Sequence, residues 1–525
     1  MSLSDPFDCK FKRLSLSRAQ VDRWGMENIE TDQHRIDSDD LANFGYQQKL
    51  HRSLGTFSAF AAGYSYISVL TGMFELFGFG YGFGGPPIVF AWIFVFLGQM
   101  AVAFCFAELS ARFPIAGSVY QWSKQLSGSL VAWVTGWTML IGSVVTLAAV
   151  AIALQIVLPP VWSGFEVFKN TSQNAVFLGV VILTITTILN AAGVRVMSLV
   201  NNVGVAAELV GVTLFVVLLA THVHNSPSIF LKSEGTGPGL PGYSTFGYGA
   251  GLMMAIIMPA YVMYGFDTAG SLAEETKDPR KRAPKAIVSS LLAGGIGGLL
   301  ILVFALLASP TLNPAKLGVG GLPYIIEAAL GSGLGKLLLV DVAVAISVCT
   351  LAIQTGTIRM TFTMARDNNL PFGSKLAHVS TRAQSPVVPS IVSGLFAALI
   401  LLVNIGKPQL FTIVTSVAVV LIYIAYFLVT IPLLSKRLKG WPADKGDGGL
   451  FHMRGWGFLV NGFAAIYGVV MALNLLWPRS AIYGPGVDAW GGIIFVGLVL
   501  VLGAVYFRKV QRHRTGVLDE HRVES

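Results

Sequence analysis

Beyond residue 53 the chain alternates long apolar runs with short polar connections. A bilayer core ~30 Å thick takes roughly 20 apolar residues in helical form. Twelve runs approach that length, and they predict twelve membrane-spanning helices. The first five are Thr56–Phe79, Ile88–Ala107, Leu130–Val157, Ala175–Leu189 and Ser198–Ala220. The next five are Gly249–Leu272, Ile287–Ala308, Leu337–Ile358, Val388–Val403 and Phe411–Leu434, followed by Phe458–Leu476 and Trp490–Phe507. The fourth and ninth are the shortest. A membrane barrel would instead show ~10-residue segments of alternating polarity, so the expected fold is an all-α integral membrane protein. The predicted organisation is a polar tail over 1–53, helices one to five over 54–222, and helices six to ten with an outer loop over 223–435. Helices eleven and twelve then fill 436–507, and a tail fills 508–525.

Two of these runs do not read as uninterrupted helices. The first passes through Gly63, Ser65, Ser68, Thr71 and Gly72, and the sixth through Pro259, Gly265, Asp267 and Gly270. Each opens a set of five spans. Interrupted helices at matching positions in two halves point to an inverted-repeat carrier with a site near the midplane, although glycine in a membrane helix also serves close packing. A break near Leu70 would start a half-helix at Thr71 and Gly72, whose free N–H groups and positive dipole end favour a carboxylate. Tyr66, Tyr261, Tyr264 and Phe266 are then expected to close over the opposite, amine end. Asp267 falls just past the Gly265 break, at an N-cap position.

Composition supports the membrane reading. Only 12% of the 525 residues are charged, against about 25% in soluble domains. Hydrophobic residues make up 54%, and the mean hydropathy is +0.67. A string of soluble domains and a disordered chain are both excluded. With the N-terminus assigned to the cytoplasm, 30 of the 36 Lys and Arg fall in the tails and inner connections and six in the outer ones. That asymmetry predicts cytoplasmic termini and accounts for the net charge of +9 without a nucleic-acid partner. The first fifty-odd residues hold no apolar segment of signal-peptide type, so the first span is expected to act as the insertion signal.

No Lys, Arg or His lies in the middle of a span, whereas four acids do: Glu75, Glu208, Asp267 and Asp341. Ionisable groups at that depth are costly and face a cavity or a partner. They are candidates for gating or for coupling to H+ or Na+, and each taken singly could be a neutral structural carboxyl. Cys9, Cys105 and Cys349 have no metal-site or disulfide spacing. No cofactor or metal is expected.

Three stretches carry a family resemblance: Phe106-Ala107-Glu108-Leu109-Ser110-Ala111-Arg112-Phe113-Pro114-Ile115-Ala116-Gly117-Ser118-Val119-Tyr120, Tyr264-Gly265-Phe266-Asp267 with Glu274-Glu275-Thr276-Lys277-Asp278-Pro279, and Ala365-Arg366-Asp367-Asn368-Asn369-Leu370-Pro371. In these the chain resembles the amino acid–polyamine–organocation (APC) superfamily of permeases, with most likeness to its amino acid/choline branch, which includes GABA permeases. Asn368 stands where the superfamily usually has Gly. The resemblance spans about 45–510. It implies a LeuT-like 5+5 inverted repeat with helices 1 and 6 broken, two extra C-terminal helices, and alternating access. It also implies that Thr71, Gly72 and Met73, with Ser68 beside them, cradle a substrate carboxylate, and that Tyr261 and Gly265 supply a gate and backbone contacts. Some relatives carry a lysine fifteen residues after the position of Gly193. Glu208 stands there, so it either takes up a proton or cation itself or pairs with Arg195.

Other motifs fail their context. Gly80–Gly85 matches a dinucleotide fingerprint but follows an apolar helix and runs into Pro86-Pro87. Gly331–Lys336 imitates a phosphate loop, yet Leu337 stands where Ser or Thr must ligate magnesium. Asn170-Thr171-Ser172 is a glycosylation sequon in an outer connection. The basic run Lys277–Lys285 fits positive-inside topology, or a gate in which Arg280 or Lys281 pairs with Glu108. The segment Phe11–Trp24 could lie on anionic lipid or stay disordered. No catalytic constellation is recognisable, so an enzyme is not expected. The leading expectation is a plasma-membrane permease for a small amino acid or ω-amino acid such as GABA. The alternatives are a choline, ethanolamine or polyamine carrier of the same fold and, more remotely, a nutrient sensor.

Overall fold

The computed structural model describes residues 35–238, 240, 243–406, 408–442 and 450–523. Cys9 and Phe11–Trp24 lie outside the described residues. In chain order, leaving aside the helical residues 35–42 and the single turns Tyr243–Phe246, Gly373–Leu376 and Ser480–Tyr483, the helices are α1 Thr56–Ile67, α2 Val69–Gly84, α3 Ile88–Arg112, α4 Ser118–Leu126, α5 Ser129–Ile152, α6 Leu154–Val161, α7 Thr171–Ala191 and α8 Val194–Ala220. There follow α9 Gly249–Ala255, α10 Ile257–Val262, α11 Thr268–Ser271, α12 Pro279–Leu307, α13 Pro314–Arg366, α14 Val387–Gly406, α15 Pro408–Leu438, α16 Gly457–Leu476 and α17 Gly491–Lys509.

Among the described residues, eleven helical stretches are long and apolar enough to cross a bilayer, with α1 and α2 counted as one and α5 and α6 likewise. The predicted sixth span falls short as a helix because it is cut into α9, α10 and α11, leaving Gly249–Val262 as a shorter apolar piece. The two spans of least expected length are present as α7 and α14. The predicted eighth span is part of the 53-residue α13, whose backbone leaves helical geometry at Gly321 (φ 58) and Gly331 (φ 77). That helix also runs eight residues past the predicted end at Ile358, carrying Arg359 and Arg366 into the protein.

Burial follows the environment expected of a bilayer. The largest enclosed side chains include Trp92, Trp122, Trp133, Tyr64 and Tyr264, while Leu199, Val203, Ile466 and Leu473 stand outward. Exposed aliphatic side chains on that scale belong in lipid rather than water.

The first interruption lies at Ser68, which takes φ 31, ψ 87 between α1 and α2. This is two residues before the expected break near Leu70, so the second half-helix opens at Val69. The second interruption runs through Met263–Asp267, with Gly265 at φ 91. The two breaks face each other closely. A Cβ on Gly265 would run into the Tyr66 ring, and one on Gly72 would lie 2.6 Å from Val262 Cγ2. Glycine at these positions lets the interrupted backbones approach each other.

Candidate functional site

At the first break the Ser68 side chain does not cap its own helix. Glu208, reaching over from α8, does so instead. Its Oε1 accepts from the Ser68 hydroxyl at 3.0 Å and from the Leu70 amide at 3.3 Å. Ser68 and Thr71 share a hydroxyl contact of 2.6 Å. Glu208 is 1% exposed, and Arg195 is not its partner. Its second oxygen has no hydrogen-bond partner among the described residues. The same is true of the buried Tyr64 hydroxyl on α1 and of Asp341 Oδ2 on α13, the latter packed against Gly211 of α8. Polar atoms buried without partners are uncommon. Here they gather along the α1–α8–α13 contact.

A small cavity of about 10 Å³ lies between the breaks, lined by Tyr66, Thr71, Gly72, Thr146, Tyr261 and Tyr264 among others. Of the residues singled out in the sequence, Tyr66, Thr71, Gly72, Tyr261 and Tyr264 are brought together on this wall. Ser68 is turned toward Glu208, and Met73 is buried elsewhere rather than on the cavity wall. Phe266 is also absent from that wall. It packs on Phe106 and Tyr426 with ring centroids 5.9 and 5.4 Å away, because the backbone turn at Gly265 aims it to the other side. The remaining aromatics meet edge to face: Tyr66 with Tyr264 at 6.1 Å, and Tyr261 with Tyr264 at 5.7 Å. The Tyr264 and Thr146 hydroxyls are 2.9 Å apart.

A space of about 10 Å³ is at the lower limit for one water. In this conformation the site is shut. A second cavity of about 70 Å³ lies beyond Tyr261, lined by Glu75, Phe79, Ile257 and Val419 among others. Tyr261 borders both spaces, and its hydroxyl donates to the Glu75 carboxylate at 3.1 Å. The pair stands between the two.

Asp267 holds the N-cap position of α11 but makes no capping bond. Its carboxylate instead accepts from Tyr426 at 2.5 Å and from Ser118 at 2.6 Å. The Tyr426 oxygen in turn accepts from the Gly265 amide at 2.8 Å. The second break is thereby tied to α15 and to the start of α4.

The face where the described residues begin and end is closed by buried ion pairs. Arg359 meets Glu275 at 2.8 Å, and Arg366 meets Glu274 at 2.9 Å. Glu274 also accepts from the Ala116 amide at 3.1 Å. Asp367 accepts from Tyr120, Lys124 and Tyr46 at 2.7, 2.7 and 2.9 Å. The three signature stretches therefore meet in one knot. The sequence reading missed it because Arg359 and Arg366 looked like ordinary positive residues beyond a span. Their signal was the acid-rich Glu274-Glu275 pair, which had no other assigned cations.

The expected pairing of Glu108 with Arg280 or Lys281 is not what forms. Glu108 bonds Arg437, and His452 Nδ1 lies 2.6 Å from it. Arg280 meets Asp40 at 2.6 Å, and Lys281 lies 3.6 Å from Asp278. The reason is placement: Glu108 faces the end of α15, while the start of α12 faces the N-terminal segment.

Comparison with known proteins adds to this geometry. The amino acid permease family profile matches residues 54–513. The amino-acid permease BAT1 of Arabidopsis thaliana is 27% identical over 84% of this chain and 89% of its own length. The methylthioribose transporter of Bacillus subtilis is 28% identical over 71% and 82%, and the branched-chain amino acid permease BcaP of the same organism 26% over 71% and 82%.

Proposed function

The chain belongs to the amino acid permease family, and from that premise we propose that it is a secondary transporter moving a small amino acid, or an ω-amino acid such as GABA, by alternating access. It is a membrane transporter and not an enzyme. The observation that carries the substrate reading is the pair of facing breaks, with Thr71 and Gly72 on one side of a closed cavity and three tyrosines on the other. A carboxylate fits the amide end of α2. An amine fits the tyrosine faces, with Glu75 next beyond Tyr261. This reading carries with it the five-plus-five repeat, twelve crossings, cytoplasmic termini and plasma-membrane location expected from the sequence.

Glu208 supports a coupling role. Its carboxylate already occupies the positive end of α2, where a substrate carboxylate would be a second negative charge in a dry setting. Protonation of Glu208 removes that repulsion, so loading a proton and loading an anionic group become linked. Asp341 and Tyr64, also with unpartnered buried oxygens, provide acceptors along the same contact.

The cationic alternative, choline or a polyamine, would use the tyrosines and Glu75 without the amide end. Thermal-shift measurement on the detergent-purified protein separates the two. Ligand at 100 times its dissociation constant adds about 2.7 kcal/mol of stability. Stabilisation by GABA or neutral amino acids and none by choline is the expected result; the reverse pattern overturns the carboxylate assignment.

A further inference from the structure

A groove of about 750 Å³ runs along the side of the bundle, away from the helix breaks. Trp137 and Val145 of α5 form one wall, Val388 and Ile400 of α14 the other, and Phe372 and Lys375 close one end. The lining is otherwise almost wholly apolar. Phe372 is 76% exposed and Phe396, also on the groove, 56%, so the groove opens sideways, where a bilayer would lie.

Its length and depth are informative. Residues 388 to 400 of α14 are twelve apart, which is ~18 Å along a helix. Half of a ~30 Å hydrocarbon core is ~15 Å. The groove starts at the level where α13 ends and α14 begins, on the face where Gly516 and Leu518 dock against Asp367 and Arg366, and reaches about the middle of the bundle. That is the depth of one leaflet. At its polar end stands Lys375, exposed and with no ion pair among the described residues.

An apolar trough one leaflet deep with a single unpaired cation at its mouth has the chemistry of a glycerophospholipid site. We propose that this groove holds one anionic phospholipid from the leaflet at its mouth, an acyl chain in the trough and the phosphate at Lys375. A zwitterionic lipid would bring its own ammonium toward the lysine and is disfavoured there. The position also gives the lipid a mechanical role. Val145 faces the groove, while Thr146, the next residue, and Val150, one turn further on, line the central cavity. A filled groove braces the wall on which Tyr264 is hydrogen-bonded through Thr146. The inference rests on the chain spanning a membrane and not on which solute it carries.

Native mass spectrometry of the full-length protein, exchanged into equimolar phosphatidylglycerol and phosphatidylcholine, tests it. The wild type should retain phosphatidylglycerol several-fold over phosphatidylcholine. Lys375→Gln should abolish that preference, and Lys439→Gln, at a lysine outside the groove, should keep it. Val392→Trp, which fills the trough, should lower retention of both lipids. Equal retention of the two lipids by the wild type, an unchanged preference in Lys375→Gln, or retention of a free fatty acid in place of phospholipid would overturn the assignment. Because the readout is lipid retention, its failure leaves the transport reading untouched, and a lack of amino acid binding leaves the lipid site untouched.

Discussion

Glu208 acts at the scale of one residue, and its geometry sets a sharp expectation. One oxygen caps a half-helix that starts in mid-bundle, and the other has no partner among the described residues. A glutamine keeps the accepting oxygen and removes the titration. Glu208→Gln should therefore leave substrate exchange between equal pH compartments near the wild-type level. Accumulation driven by a pH gradient should fall by about tenfold or more, the equivalent of losing ~1.4 kcal/mol of coupling. Proteoliposome uptake with and without the gradient reads both quantities, and an unaltered gradient response would remove Glu208 from the coupling scheme. The acid itself was legible in the sequence as a charge inside an apolar run. Its role as a cap borrowed from another helix was not, because that depends on how α8 packs against α1.

At the scale of elements, the interrupted first and sixth spans were legible from glycine and small polar residues at matching places, but the point of rupture was not. Ser68 rather than Leu70 breaks the first helix, since Glu208 stabilises amides opening at Val69 and Leu70. The signature stretches were legible as family marks and opaque as structure. Their residues lie far apart in sequence, and only the packing of α4, α11 and the end of α13 brings Ala116, Glu274 and Arg366 together. Removing one partner of a fully buried ion pair leaves a charge without compensation and costs about 3–5 kcal/mol. Glu274→Ala should accordingly lower the thermal midpoint markedly in detergent. Glu274→Gln, which can still accept from Ala116 and Arg366, should lose less. Equal midpoints for wild type and Glu274→Ala would show that the knot contributes nothing to stability.

At the scale of the whole molecule, the segment around Tyr46 and the segment around His521 meet beneath that knot. Tyr46 bridges to Arg522, and the Gln47 amide donates to the His521 carbonyl at 3.0 Å. The amides of Gly516 and Leu518 donate to the carbonyls of Asp367 and Arg366 at 3.1 and 3.0 Å. Burial, reinforced by the nearby Arg366 charge, pushes the His521 imidazole down to about 4 from 6.5. The docked tail therefore holds this histidine neutral, while the released tail takes up a proton below pH 6.5. Docking is at full strength above pH 6.5 and weakens as the pH falls toward 4. Limited proteolysis of the C-terminal segment should accelerate over that window, and His521→Phe should flatten the dependence; a rate independent of pH in the wild type would contradict this. Under the proposed alternating access, an opening on this face would part the same clasp, in series with the ion pairs around Glu274. The central claim concerns the solute at the broken helices, and labelled GABA and neutral amino acid uptake into proteoliposomes tests it most directly, with Gly72→Val run beside the wild type. The account predicts accumulation by the wild type and its loss in Gly72→Val, where the added side chain crowds Val262 and the amide end of α2. Uptake of none of these zwitterions, or equal uptake by both proteins, would contradict it.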